Sequence, residues 1–172
     1  MTTTGAAVLG VLDLLRGADI DVWIDGGWGV DALLGHQTRS HNDLDIAVRL
    51  QDRARYDEAM ARAGFRSVRN DGPYNTVVRD DTGCEVDAHF VDLDETYVDE
   101  RGVEVYRGIA YEAGSLRGRG IVLGYPVRCV TPEALVRYHT GYEPDDDDYR
   151  DVAALCRRFK LPLPPPFDTW PR

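Results

Sequence analysis

Arg39-Ser-His-Asn-Asp-Leu-Asp-Ile-Ala-Val48 is the stretch that decides how this chain folds, and Asp25-Gly-Gly-Trp-Gly29 upstream belongs with it. On a strand, Asp43 and Asp45 at i and i+2 point to one face while Leu44, Ile46 and Val48 point to the other. One face is then acidic and the other is core. Hard cations such as Mg2+ take oxygen ligands and commonly bind through one or two carboxylates plus a substrate phosphate. The pair Gly26-Gly27, opening a predicted helix, offers backbone N–H groups and a positive helix end to an anion. An ordinary alternating strand with polar residues outward has the same Asp-x-Asp pattern, so the pair alone does not establish a metal site.

A third carboxylate extends the pattern. In Glu85-Val-Asp-Ala-His-Phe90, Glu85, Asp87 and His89 share one face and Val86, Ala88 and Phe90 the other. Pairing of this strand beside that of Asp43 and Asp45 would bring Asp87 to them. Three carboxylates from two neighbouring strands can hold two Mg2+ ions about 4 Å apart, the arrangement that stabilises attacking and leaving oxygens in phosphoryl or nucleotidyl transfer. The bland alternative is an exposed sheet whose polar residues merely face solvent.

Composition narrows the classes. The 172 residues suit a single domain with a real core, and Cys84, Cys129 and Cys156 lack any Cys-x-x-Cys spacing, so neither a zinc site nor a disulfide framework is indicated. The net charge of −10, from 20 basic and 30 acidic side chains, disfavours a nucleic-acid partner and favours a cationic small molecule. No basic leader and no run of about 20 apolar residues is present, so a soluble cytoplasmic protein without membrane contact is expected.

The periodicities predict helices at about Gly5 to Arg16, Trp28 to Leu34, from about Asp52 to Ala63, after Thr131-Pro132-Glu133, and at about Asp146 to Phe159. Gly35 and Gly64 end two of them, and Thr131 is the expected cap of another. Strands are expected at Val22 to Ile24, around Asp43 to Val48, at Phe65 to Val68, Tyr74 to Arg79 and Cys84 to Val91, then Val103 to Tyr106, Ile121 to Leu123 and Val127 to Cys129. Asp80-Asp81-Thr82-Gly83 makes a hairpin turn. The acidic stretch Asp92 to Glu104 reads as a solvated loop, the alternative being a receptor for a cationic acceptor, and Asp145 to Asp148 reads as a helix start answered by basic residues at its end.

The stretch Trp23 to Gly35, then Arg39, His41, Asp43 and Asp45, resembles the small-molecule nucleotidyltransferases of antibiotic resistance, most closely the short lincosamide type and next the aminoglycoside type. Val86-Asp87-Ala88-His89 resembles their third-carboxylate strand, and Pro126 to Tyr142, with Asp151 beyond, resembles their C-terminal helical part. The likeness covers about Asp21 to Phe159, with low similarity from about Asp92 to Gly118. It implies an α+β nucleotidyltransferase fold of the DNA polymerase beta type, a mixed β-sheet flanked by helices with a short C-terminal helical part. The chain is then one nucleotidyltransferase domain, with a core of about residues 1–110, a helical part of about 119–160 and a Pro-rich tail of 161–172.

By the same resemblance, Asp43 and Asp45 bind Mg2+ ions, two in number, and Asp87 either completes the metal site or serves as base for the acceptor hydroxyl. Gly26, Gly27, Arg39 and His41 are expected at the nucleotide phosphates, with ATP or another nucleoside triphosphate as co-substrate. His89, Glu85 and Tyr142 are candidates for acceptor contact, although His89 is equally readable as an outward polar residue. Trp23 and Trp28 are core aromatics by default, with base stacking as the alternative. The implied reaction is Mg-dependent transfer of AMP to a hydroxyl of a lincosamide-type or aminoglycoside-type antibiotic. The alternative is a non-catalytic or regulatory member of the fold, toxin–antitoxin-like or nucleotide-binding. With so short a C-terminal part, a shallow acceptor pocket is expected unless a second subunit walls it, so a homodimer is expected.

Overall fold

The computed structural model describes residues 2–170; Met1, Pro171 and Arg172, at the ends of the expected core and tail, lie outside the described residues. The elements in chain order are α1 (Gly5–Gly17), β1 (Val22–Ile24), α2 (Gly26–Leu34), β2 (Leu44–Arg49), α3 (Arg53–Arg62), β3 (Arg66–Asn70), β4 (Asn75–Arg79), β5 (Glu85–Val98), β6 (Glu104–Gly108), β7 (Gly118–Val122), β8 (Tyr125–Cys129), α4 (Pro132–Tyr138) and α5 (Asp146–Phe159).

The strands form one mixed sheet in the order β3-β4-β5-β2-β1-β8-β7, with β6 paired to the far half of β5. The parallel neighbours are β2 with β5 and β1 with β8, and the other pairs are antiparallel. Alternation along the central strands then divides the core. Leu44, Ile46 and Val48 pack with Val86, Ala88 and Phe90 under α1 and α3, through Val8, Val11, Leu12 and Leu15 of α1 and Tyr56, Ala59 and Met60 of α3. On the opposite face Trp23 and Ala47 meet Leu135 and Val136 of α4, Val152 and Leu155 of α5, and Phe167 from the segment after α5. Asp45, Asp87 and His89 point to this second face, where the helical cover is incomplete.

Several elements differ from expectation for identifiable reasons. Asp43 lies at the bend before β2 and is not in the strand. The stretch expected as an acidic loop is a hairpin: β5 runs on to Val98 and pairs with β6, with an irregularity between Asp92 and Thr96. Charge is tolerated there because the ribbon is largely exposed and its acids find partners, Arg107 with Glu95 and Thr96 with Glu104. Ala63, expected on the buried face of α3, is an exposed C-terminal residue. β3 is exposed throughout, an edge strand rich in charge.

The C-terminal helices follow the local signals closely. Thr131 occupies the position before α4, with Pro132 first in the helix, yet its side chain makes no capping bond. α5 has the full reciprocal cap: the Asp145 carboxylate accepts from the Asp147 and Asp148 backbone N–H groups, and the Asp148 carboxylate accepts from that of Asp145. Its buried residues are Asp151, Val152, Leu155 and Cys156, so the packing face lies slightly to one side of the expected Tyr149 and Ala153. Among the described residues no helix is long and apolar enough to cross a membrane.

Candidate active site

The site begins with strand register. β2 and β5 lie side by side and parallel with Asp45 opposite Asp87 and Ala47 opposite His89, so two strands far apart in sequence present their carboxylates at the same level of the sheet. One ligand atom each from Asp45, Asp87 and His89 falls within 4.8 Å of the others. Asp43 stands just before the strand, close enough to Glu85 and Asp87 that their charges, after its own burial, raise its pKa. Glu85 itself is paired with Arg79. It borders an open cavity of about 440 Å³ lined also by Asn42, Asp80, Asp81 and Gly83.

The electrostatics are those of a site with too many anions. Burial, then the charges of Asp43 and Asp25, raise the Asp45 carboxyl to about 7. Asp87 goes the other way. Burial alone would raise it, but His89, Asn75 and Arg69 outweigh burial and hold it below the usual carboxylate range. Asn75 Nδ2 donates to Asp87 Oδ1 at 2.5 Å, and Arg69 donates to Oδ2 at 3.0 Å. His89 is raised: burial pulls it down, and Asp87, Asp25 and Asp45 more than compensate. Its Nε2 lies 3.3 Å from Asp87 Oδ1 and its Nδ1 lies 2.9 Å from the Tyr111 hydroxyl, which in turn donates to Asp25 Oδ2 at 2.6 Å.

Beside these groups α2 begins. Asp25 stands at its N-cap position without making a side-chain capping bond, so the first-turn N–H groups have no side-chain partner there. The two glycines are demanded by close approach. Gly26 has φ +55°, and a Cβ on it would sit 2.1 Å from Asp45 Oδ2. A Cβ on Gly27 would sit 2.4 Å from His41 Nδ1 and 2.8 Å from an Arg39 terminal nitrogen. The helix start is therefore pressed between the carboxylates on one side and the Arg39 and His41 side chains on the other.

Of the residues singled out from sequence, Asp43, Asp45, Asp87, Glu85, His89 and Gly26 gather in one place. Gly27, Arg39 and His41 form an adjoining group in which both side chains already have carboxylate partners. Arg39 donates to Asp151 Oδ2 from Nε at 3.2 Å and from a terminal nitrogen at 2.8 Å, and His41 Nε2 lies 2.5 Å from Asp31 Oδ2. Tyr142 is in neither group; it is exposed on the turn between α4 and α5 and donates to Asp148 Oδ1 at 2.7 Å. His139, at the end of α4, is buried with Nδ1 2.7 Å from the Leu135 carbonyl oxygen, a packing role. Trp23 and Trp28 are both in the core. Sequence reasoning passed over Asp31, Arg69, Asn75 and Tyr111, and it noted Asp25 only within its glycine motif, because their partners lie at sequence separations that no local pattern reveals.

Known proteins share this arrangement of elements. A lincosamide resistance protein of Staphylococcus haemolyticus is 27% identical over 150 residues, 84% of this chain and 89% of that protein. A 2''-aminoglycoside nucleotidyltransferase of Escherichia coli is 28% identical over 129 residues, 72% of this chain and 67% of that protein. The lincomycin-bound crystal structure of the lincosamide antibiotic adenylyltransferase LnuA superposes with a TM-score of 0.76 at 23% identity, covering 90% of this chain and 98% of the other, which shows a common nucleotidyltransferase fold. The family profile described as aminoglycoside-2''-adenylyltransferase matches residues 7–155, nearly the whole of the sheet and its helices, and the chain belongs to that family.

Proposed function

We propose that this protein transfers AMP from Mg-ATP to a hydroxyl group of a small-molecule antibiotic, lincosamide-like or aminoglycoside-like, and so inactivates it. The observation that carries the reading is the parallel register that sets Asp45 opposite Asp87 beside the start of α2.

The donor set fits Mg2+. Asp43, Asp45 and Asp87 offer hard carboxylate oxygens, and the carboxyl of Asp45, raised by burial and by the charges of Asp43 and Asp25, marks a crowding of anions that a divalent cation would relieve. Bound Mg2+ supplies neutralisation of phosphate charge and polarisation of the reacting phosphorus. Asp45 and Asp87 would hold it, with Asp43 at their side. The lowered pKa of Asp87 makes it a poor proton acceptor, which favours the ligand role over that of base.

The remaining work of the chain is positioning and charge. The uncapped first turn of α2 receives the triphosphate with its N–H groups and helix dipole. Arg39, lying against Gly27, adds positive charge at that end, and Asp151 fixes the direction of its guanidinium. The acceptor approaches over His89 and Glu85, of which Glu85 borders the open cavity. Its hydroxyl attacks the α-phosphorus as the bond to pyrophosphate breaks, and the hydroxyl proton leaves to solvent. Local similarity favours a lincosamide acceptor, while the acidic surface equally suits a cationic aminoglycoside.

Mass spectrometry of lincosamides and aminoglycosides incubated with the protein, Mg2+ and ATP tests this reading. An acceptor that gains one AMP unit is the expected result. Acceptors of both classes left unmodified by a folded protein that binds Mg-ATP would overturn it.

A further inference from the structure

The segment of residues 35–43 joins α2 to β2 and delivers Asp43 and Asp45 to the site. It contains no helix or ladder, yet its donors converge on carboxylates from other elements. Asp31, on α2 and 2% exposed, accepts at both oxygens. Its Oδ1 takes the Thr38 backbone N–H at 2.9 Å and the Thr38 hydroxyl at 2.6 Å, and its Oδ2 takes His41 Nε2 at 2.5 Å. His41 is 3% exposed and wedged between Trp28, with ring centroids 4.9 Å apart, and the bare α-carbon of Gly27. On its other side the segment is held by Thr3, whose N–H donates to the His41 carbonyl at 2.8 Å and whose hydroxyl donates to that of Asn42 at 3.2 Å.

A buried carboxylate without partners is strongly unfavourable, so Asp31 and the segment fix each other. Asp31 has no bond that serves its own helix among those of its side chain; all three go to the segment that ends at Asp43. Resting on the nucleotidyltransferase reading above, we propose that Asp31 is a positioning residue for the reaction. Through Thr38 and His41 it sets the peptide from His41 to Asp43, and so the placement of Asp43 and Asp45 toward metal and nucleotide, while touching neither itself. Residues that orient metal-binding groups in this way are worth about 10- to 100-fold in metal affinity or activity.

The test is Asp31→Asn beside wild type, with Thr38→Val as the milder change that keeps the carboxylate and the backbone bond. Asp31→Asn is expected to fold, to lose the hydrogen-bonded Nε2–H proton signal of His41 in NMR spectra, to bind Mg-ATP on the order of tenfold more weakly by calorimetry, and to lose kcat by a similar factor. Thr38→Val should move binding and kcat in the same direction by less. A purely structural role would lower the melting temperature and leave Mg-ATP affinity and kcat of the folded protein unchanged; that result overturns the proposal. Should Asp31→Asn fail to fold, wild-type kcat and Mg-ATP affinity in Thr38→Val overturn it instead. Wild-type protein that binds Mg-ATP but modifies no acceptor would remove the reaction and leave the binding comparison to decide the role of Asp31.

Discussion

Asp45 concentrates the consequences of the site at a single residue. Its carboxyl is raised to about 7, by burial first and by Asp43 and Asp25 next, whereas the unfolded chain has it near its ordinary value of 3.8. A carboxyl raised on folding contributes stability below its unfolded pKa and loses that contribution as pH rises through the folded one. The metal-free protein should therefore melt at a lower temperature at pH 8 than at pH 6, and added Mg2+ should raise the melting temperature more at pH 8. Thermal melts at the two pH values, with and without Mg2+, check both statements. A melting temperature insensitive to Mg2+ at either pH would contradict the charge account. Gly26 makes a second claim at this scale: with φ +55° and Asp45 Oδ2 where its Cβ would be, Gly26→Ala must displace the carboxylate. A shift of that kind costs about 100-fold in turnover. Steady-state kinetics of the folded variant measure it, and wild-type kcat would show that the close approach is unimportant.

At the scale of elements, α5 offers a clean separation of stability from chemistry. The reciprocal cap at Asp145 and Asp148 satisfies the start of the helix, while Asp151, one turn further, holds Arg39. Asp145→Ala should remove about 1 kcal/mol. For a chain of this size that lowers the melting temperature by about 2–4 °C, with kcat nearly unchanged. A large loss of kcat would mean that the cap and the Arg39 contact are not separable. The elements also show what a sequence can reveal. β2 and the start of β5 were legible because alternation of period two places Asp45 and Asp87 opposite a run of Leu, Ile, Val and Phe. α5 was legible from its acids, its periodicity and its basic end. β6 was expected near Val103 to Tyr106, but the run of β5 on to Val98 and its pairing with β6 were not legible, because an acidic run with exposed side chains has the composition of a loop, and strand pairing there rests on a partner that local pattern does not name. Arg39 and His41 were singled out from sequence for the nucleotide phosphates. Their carboxylate partners were missed, since Asp151 lies 112 residues from Arg39 and Asp31 faces inward on a helix that reads as simply apolar.

For the whole molecule, two cores on opposite faces of one sheet make a rigid platform, and the incompletely covered part of the second face is where the proposed chemistry would sit. The site is open to solvent along the Glu85 side, and the helical part contributed by α4 and α5 is small. We expect the protein to act as a homodimer in which the second subunit completes the acceptor wall; sedimentation should give twice the 19.2 kDa chain mass. A monomer with full turnover would contradict that expectation. The acidic surface bears on partners as well, since a net charge of −10 opposes a polyanion. The central claim, that the paired carboxylates of β2 and β5 drive nucleotidyl transfer, is tested most directly by pyrophosphate release from Mg-ATP in wild type and Asp45→Asn, each with and without a lincosamide or aminoglycoside acceptor. The account predicts release that requires an acceptor and falls by at least about 100-fold in a folded Asp45→Asn. Undiminished release by that variant would contradict it.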